Sequence, residues 1–154
     1  MRLKDLIKKN LIIDNIRSED KEGAIDELLK PLLLELSMSN GADIKKILLD
    51  REELGSTGVG NSIAIPHVKT KDINGVFSVF GRSKKGIDFN SLDGEPVYLL
   101  FLLLSGEESN SELLQALSQA CKVLMNENVR KSLINAKDKE ELYRIIYEEG
   151  SKIG

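Results

Sequence analysis

The feature that most constrains this chain is the run Val97 to Leu104, VYLLFLLL, in which no strongly polar residue interrupts the apolar side chains. Successive residues of a strand point to opposite faces, so such a run is stable only as a central strand covered on both sides. It is far shorter than the roughly 20 residues needed to span a bilayer. The covers are legible on either side of it. Upstream, Ala24, Ile25, Leu28, Leu29, Leu32, Leu33 and Leu36 recur at helical spacing, with Ser18 or Asp20 as cap and Asn40-Gly41 as stop. Pro31 predicts a kink or a restart within that helix. A second helix is expected from Asp43 to Leu54, with Ile44, Ile47 and Leu48 on one face and Gly55 closing it. Downstream, Ser109 and Glu112 have capping-box spacing ahead of Leu113, Leu114, Leu117, Ala120, Cys121 and Leu124. The same device recurs at Asp138 and Glu141, ahead of Leu142, Ile145 and Ile146.

Between these helices the reading is β-rich. Val76 to Phe80 reads as a strand, and Lys84-Lys85-Gly86 and Leu92-Asp93-Gly94 read as turns before the central run. Ser62 to Ile65 reads as a short strand ended by Pro66, and Gly55 to Asn61 as a loop. The expected fold class is α/β: a single-domain sandwich over residues 1–154, with a small mixed sheet flanked by helices on both faces. At 154 residues and 41% hydrophobic, the chain has enough apolar material for one sizeable core.

Composition removes several function classes. The formal net charge is −3 and the pI is near 5.3, so the basic excess of a nucleic-acid binder is missing and no nucleic acid is expected as a partner. With one cysteine, Cys121, and one histidine, His67, neither an internal disulfide nor a Cys/His zinc site can be assembled. No metal or cofactor is expected. The N-terminal MRLKDLIKKN lacks an uninterrupted apolar signal core, so a cytoplasmic protein without membrane insertion is expected.

The chemistry concentrates in one stretch. Gly55 to Ser62, GSTGVGNS, has the spacing of a phosphate-binding P-loop, but Asn61 stands where the lysine must be and a strand rather than a helix follows. A nucleotide-triphosphate loop is therefore rejected. Its glycines, with Ser56, Thr57 and Asn61, still supply backbone N–H groups and small donors suited to an oxyanion. His67 follows an apolar strand and a proline that hold its backbone in place. A neutral imidazole there can act as a nucleophile, or serve simply as a hydrogen-bonded structural residue. Arg51 falls near the apolar stripe of its helix, where it either packs its stem and pairs with a carboxylate, or presents its donor fork to an anion.

Arg51 to His67, REELGSTGVGNSIAIPH, closely resembles the signature of the fructose/mannitol-type enzyme IIA domain of the bacterial phosphoenolpyruvate-dependent phosphotransferase system, a group that includes a nitrogen-regulatory branch. The resemblance extends to Phe89 to Val97 and to the closing helix around Glu140-Glu141-Leu142. It implies a phosphocarrier whose histidine, matched by His67, accepts a phosphoryl group from HPr or its nitrogen-branch counterpart. The group then goes to a IIB component or serves a regulatory signal. Arg51 matches the arginine placed near the phosphoryl group, and Thr57 and Asn61 occupy loop positions implied to donate to it. Val59, Ile65 and Val68 are expected to form an apolar docking rim. Three positions depart from the pattern. Val68 replaces a frequent glycine, Glu112 or Leu113 stands where many members carry a second histidine, and Ser105-Gly106 replaces Val-Pro. The missing second histidine leaves open a different class, a regulatory module acting by protein contact with phosphorylation absent or only a switch.

Overall fold

The computed structural model describes residues 2–153. The apolar run is β6 (Val97–Gly106), which lies in the interior of a mixed six-stranded sheet in the order β1-β5-β6-β3-β2. On one side β6 pairs antiparallel with β5 (Val76–Ile87), which in turn pairs parallel with β1 (Ile12–Ile13). On its other side three short pieces are arranged: β2 (Gly58–Gly60), β3 (Ile63–Ala64) and β4 (His67–Thr70). Strands β3 and β4 are both parallel to β6 and lie one after the other along it, with Ile63 opposite Leu99 and His67 opposite Leu103. Strand β2 pairs antiparallel with β3.

The alternation along β6 divides the core in two. Leu99, Phe101 and Leu103 join a cluster with α1 (Leu3–Leu6), α4 (Asn110–Leu124), α5 (Glu127–Ile134) and α6 (Lys139–Ser151). Leu100, Leu102 and Leu104 join a second cluster with α2 (Lys21–Glu35) and α3 (Gly41–Leu54). All six side chains are fully buried, because each face of the sheet has its own layer of helix. The expected α/β sandwich is therefore the observed one. No helix among the described residues is long and apolar enough to cross a membrane.

Several local expectations are corrected. Helix α2 starts at its Asp20 cap, which accepts from the Gly23 N–H at 2.8 Å, and runs through Pro31 as one element. Burial of Ala24, Ile25, Leu28, Leu29 and Leu32 outweighs the lost donor, and the helix ends at Glu35, short of Asn40. The Lys84-Lys85-Gly86 stretch lies inside β5, absorbed by an irregularity in its register with β6 between Arg82 and Ile87. Ser109 does not cap α4 with its side chain; its Oγ accepts from the Gly75 N–H at 2.9 Å instead. At α6 the cap forms as read, Asp138 accepting from the Glu141 N–H at 3.0 Å, while the Glu141 side chain reaches one residue past the cap to accept from the Lys137 N–H at 3.1 Å.

Candidate active site

The site grows from an interruption in the sheet. Pro66 has no N–H, so the strand that begins at β3 cannot continue its ladder through that residue and resumes only at His67. The proline carbonyl still accepts from the Leu103 N–H at 2.9 Å, which anchors the break against β6. His67 is thus the first residue of β4 rather than the exit of the preceding strand. Its register partner Leu103 lies on the face covered by α4, and its ring is half-buried.

The ring has a defined orientation. His67 Nδ1 lies 2.9 Å from the Ile65 carbonyl oxygen. A carbonyl can only accept, so this contact requires the proton on Nδ1 and leaves the lone pair on Nε2. Ile65 is held in turn, since its N–H donates to the Thr57 carbonyl at 3.2 Å, one step beyond the β2–β3 ladder.

The expected loop contains the β2–β3 hairpin. Asn61 and Ser62 form its two-residue turn with φ values of 56° and 68°, the left-handed pair that a type I′ turn requires and that small polar residues tolerate best. Asn61 is exposed at the tip. Its N–H donates to Asp93 at 3.3 Å and its Nδ2 lies 3.8 Å from Met125 Sδ, so both contacts lead away from His67.

Arg51 is exposed rather than set into the apolar stripe of α3. The buried line runs Ile44, Leu48, Glu52, while Ile47 is 49% exposed. The guanidinium donates to the Gly55 carbonyl at 2.8 Å, closing the helix end that leads into the hairpin. Arg51 makes no ion pair among the described residues, so its charge is available to an anion. Thr57 is placed differently from the expectation: it is buried, and its hydroxyl donates to Glu52 at 2.5 Å instead of facing the histidine. Glu52 was not singled out from the sequence. Its signal was the i, i+4, i+8 line from Ile44, which places a carboxylate where a core side chain belongs.

Of the expected docking rim only Val59 is exposed; Ile65 and Val68 are buried, one on each face of the sheet. Val68 sits in β4 with no left-handed backbone, so replacing glycine there costs no strain. At the second-histidine position, Glu112 is exposed and Leu113 is buried against the α4 side of the core.

Residues 5–149 match the family model for the EIIA 2 component of the phosphoenolpyruvate-dependent sugar phosphotransferase system. The chain belongs to this family. Among EIIA relatives, the fructose-specific EIIABC component of Bacillus subtilis is 39% identical over 95% of this chain, which spans only 23% of that larger protein. The nitrogen regulatory protein of Bradyrhizobium diazoefficiens is 34% identical, with 95% of each chain covered. The crystal structure of the nitrogen regulatory protein IIA-Ntr from Neisseria meningitidis superposes with a TM-score of 0.86 at 30% identity, covering 94% of this chain and 98% of that one. The family and these relatives support a phosphocarrier or regulatory role within the phosphotransferase system for this EIIA chain.

Proposed function

We propose that this EIIA chain is a cytoplasmic phosphocarrier that takes a phosphoryl group from HPr, or from its nitrogen-branch counterpart, onto Nε2 of His67. It then passes the group to a IIB component in sugar uptake, or holds it as a regulatory signal. The observation that carries this reading is the 2.9 Å contact between His67 Nδ1 and the Ile65 carbonyl, which makes Nε2 the nitrogen with a free electron pair. In the transfer, the donor's P–N bond breaks and its electron pair returns to the donor nitrogen, while the Nε2 lone pair forms the new P–N bond. No proton has to move. The proton kept on Nδ1 leaves the phosphorylated ring cationic, which favours its departure in the next transfer.

The remaining task is to align two nitrogens and neutralise the phosphoryl oxygens. Arg51 is proposed to do this by exchanging the Gly55 carbonyl for phosphoryl oxygens when the group arrives; Asn61, at a hairpin tip level with Leu99 while His67 is level with Leu103, is left out of this role. Thr57 could donate directly only by leaving Glu52, so its proposed contribution here is the backbone that supports Ile65. Incubation with phosphoenolpyruvate, enzyme I and HPr tests the reading. The expected result is a mass increase of one phosphoryl group that is lost in His67→Ala; an unmodified wild-type chain would refute it.

A second reading has its own support. The Bradyrhizobium relative matches this chain end to end and is named a nitrogen regulatory protein. In that reading the chain controls a partner by contact, and phosphorylation is absent or only a switch. A partner that binds His67→Ala as tightly as the unphosphorylated wild type, and to which no phosphoryl group is passed, would favour it.

A further inference from the structure

Glu52 is a buried anion that the proposed transfer leaves unused. Its side chain is 3% exposed, at the end of the buried stripe of α3. An isolated carboxylate could not remain there, and three donors gather on it. Lys21 Nζ lies at 3.3 Å, and the Thr57 N–H reaches both carboxylate oxygens at 3.0 and 3.2 Å. The Thr57 hydroxyl donates at 2.5 Å, and the Ser56 hydroxyl, whose proton goes to the Phe89 carbonyl at 2.9 Å, lies 3.5 Å away. Lys21 is itself confined, its ammonium 5.2 Å from the centre of the Phe89 ring.

The cluster continues in an unbroken series of contacts to the reactive ring. Glu52 holds Thr57 by two donors, the Thr57 carbonyl accepts from Ile65, and the Ile65 carbonyl accepts from His67 Nδ1. Each link fixes the next peptide plane. We infer that Glu52 is a positioning residue for His67: by pinning Thr57 it keeps the Ile65 carbonyl aimed at Nδ1, and so selects the tautomer in which Nε2 is the nucleophile. This rests on the reading of His67 as the phosphoryl acceptor. The glycine-rich segment needs such an anchor because β2 and β3 have too few ladder bonds to hold their own register. Glu52 touches neither the ring nor the incoming group, so its effect appears in tautomer and rate rather than in docking.

The test uses the full chain and Glu52→Gln, in which an amide N–H₂ faces donors that the carboxylate accepted. Two quantities are read: the His67 tautomer ratio, from ¹⁵N–¹H correlations of the neutral ring, and the rate of phosphoryl acceptance as a function of phosphorylated HPr concentration. In the wild type the Nδ1–H form should dominate by about fivefold or more, the value of one net hydrogen bond. Glu52→Gln should bring the two tautomers close to equality. It should also lower the saturating rate by about twofold, as the reactive Nδ1–H population falls from about five-sixths to one half, with the donor concentration at half-saturation unchanged. Thr57→Val, which deletes one contact and retains side-chain shape, should move the ratio the same way by about twofold to threefold, and decides the matter if Glu52→Gln does not fold. A wild-type ratio in the folded variants overturns the proposal. If the wild-type chain accepts no phosphoryl group, the phosphocarrier reading fails, while the tautomer measurement still decides the role of Glu52.

Discussion

The two sides of β6 are built on opposite principles. Toward β5 lies a long antiparallel pair whose residues are mostly buried, with Phe80 and Phe101 meeting edge to face at 5.8 Å. Many apolar contacts share the load there, and each is replaceable by a neighbour of similar volume. Toward His67 the chain is cut into β2, β3 and β4, with a proline between the last two. Ile63, Ala64, Ile65 and Val68 are buried there too, but the backbone around the histidine is aimed by a few directional contacts. A scaffold made of redundant burial can carry a site made of specific polar contacts because failure of the second does not unfold the first.

The sharpest way to break the comparison is to remove each side's central residue. His67→Ala is expected to abolish phosphoryl acceptance, as followed by intact mass, with a thermal midpoint within a few degrees of wild type. Leu102→Ala, a full truncation in the α2 side of the core, is expected to cost about 2–5 kcal/mol in urea unfolding while the native fraction still accepts the group. Arg51→Ala should slow transfer by about tenfold to a hundredfold, in the range of losing one charge-stabilising donor, and leave the urea midpoint unchanged. An unaltered rate would remove Arg51 from the site.

The smallest effect tests whether polar pinning matters on the scaffold side. Burial pushes the Glu27 carboxyl up, but the Ser18 hydroxyl and the backbone N–H groups of Arg17 and Ser18 outweigh it and hold the group below its ordinary value of 4.5. A carboxyl depressed on folding contributes stability above its unfolded value and loses it as pH falls through the folded one. Glu27→Gln should therefore lower stability slightly at neutral pH and flatten the decline below about pH 4.5, visible in unfolding midpoints measured against pH. The site-side counterpart is Glu52, buried where Glu27 is only partly so, so disturbing it should matter more.

Legibility in the sequence followed the same division. The β6 run, most of the α2 and α4 stripes and the Asp138 cap were readable because local periodicity and burial point to the same answer, although Leu114 and Cys121, read as part of the α4 stripe, are exposed. The short elements α1, β1, β2, β4 and α5 were not, since a strand of two to four residues owes its existence to the neighbour it pairs with. Arg82 shows the same limit. It looks like a surface charge near a turn, yet it is 1% exposed and donates to the carbonyls of Asp14, Leu133, Ile134 and Ala136, tying β5 to the end of α5. Burial lowers its pKa, against the opposing charges of Asp14 and Glu141.

For the candidate site, the sequence pattern alone identified the histidine, the proline before it, the arginine on the preceding helix and the family they resemble, because residue type and spacing are one-dimensional properties. Which ring nitrogen holds the proton, that Thr57 turns to Glu52 rather than to the ring, and that Val68 is core rather than rim were decided only in three dimensions. Hydrogen-bond partners and burial depend on segments distant along the chain converging, and no local pattern encodes which donor will face which acceptor.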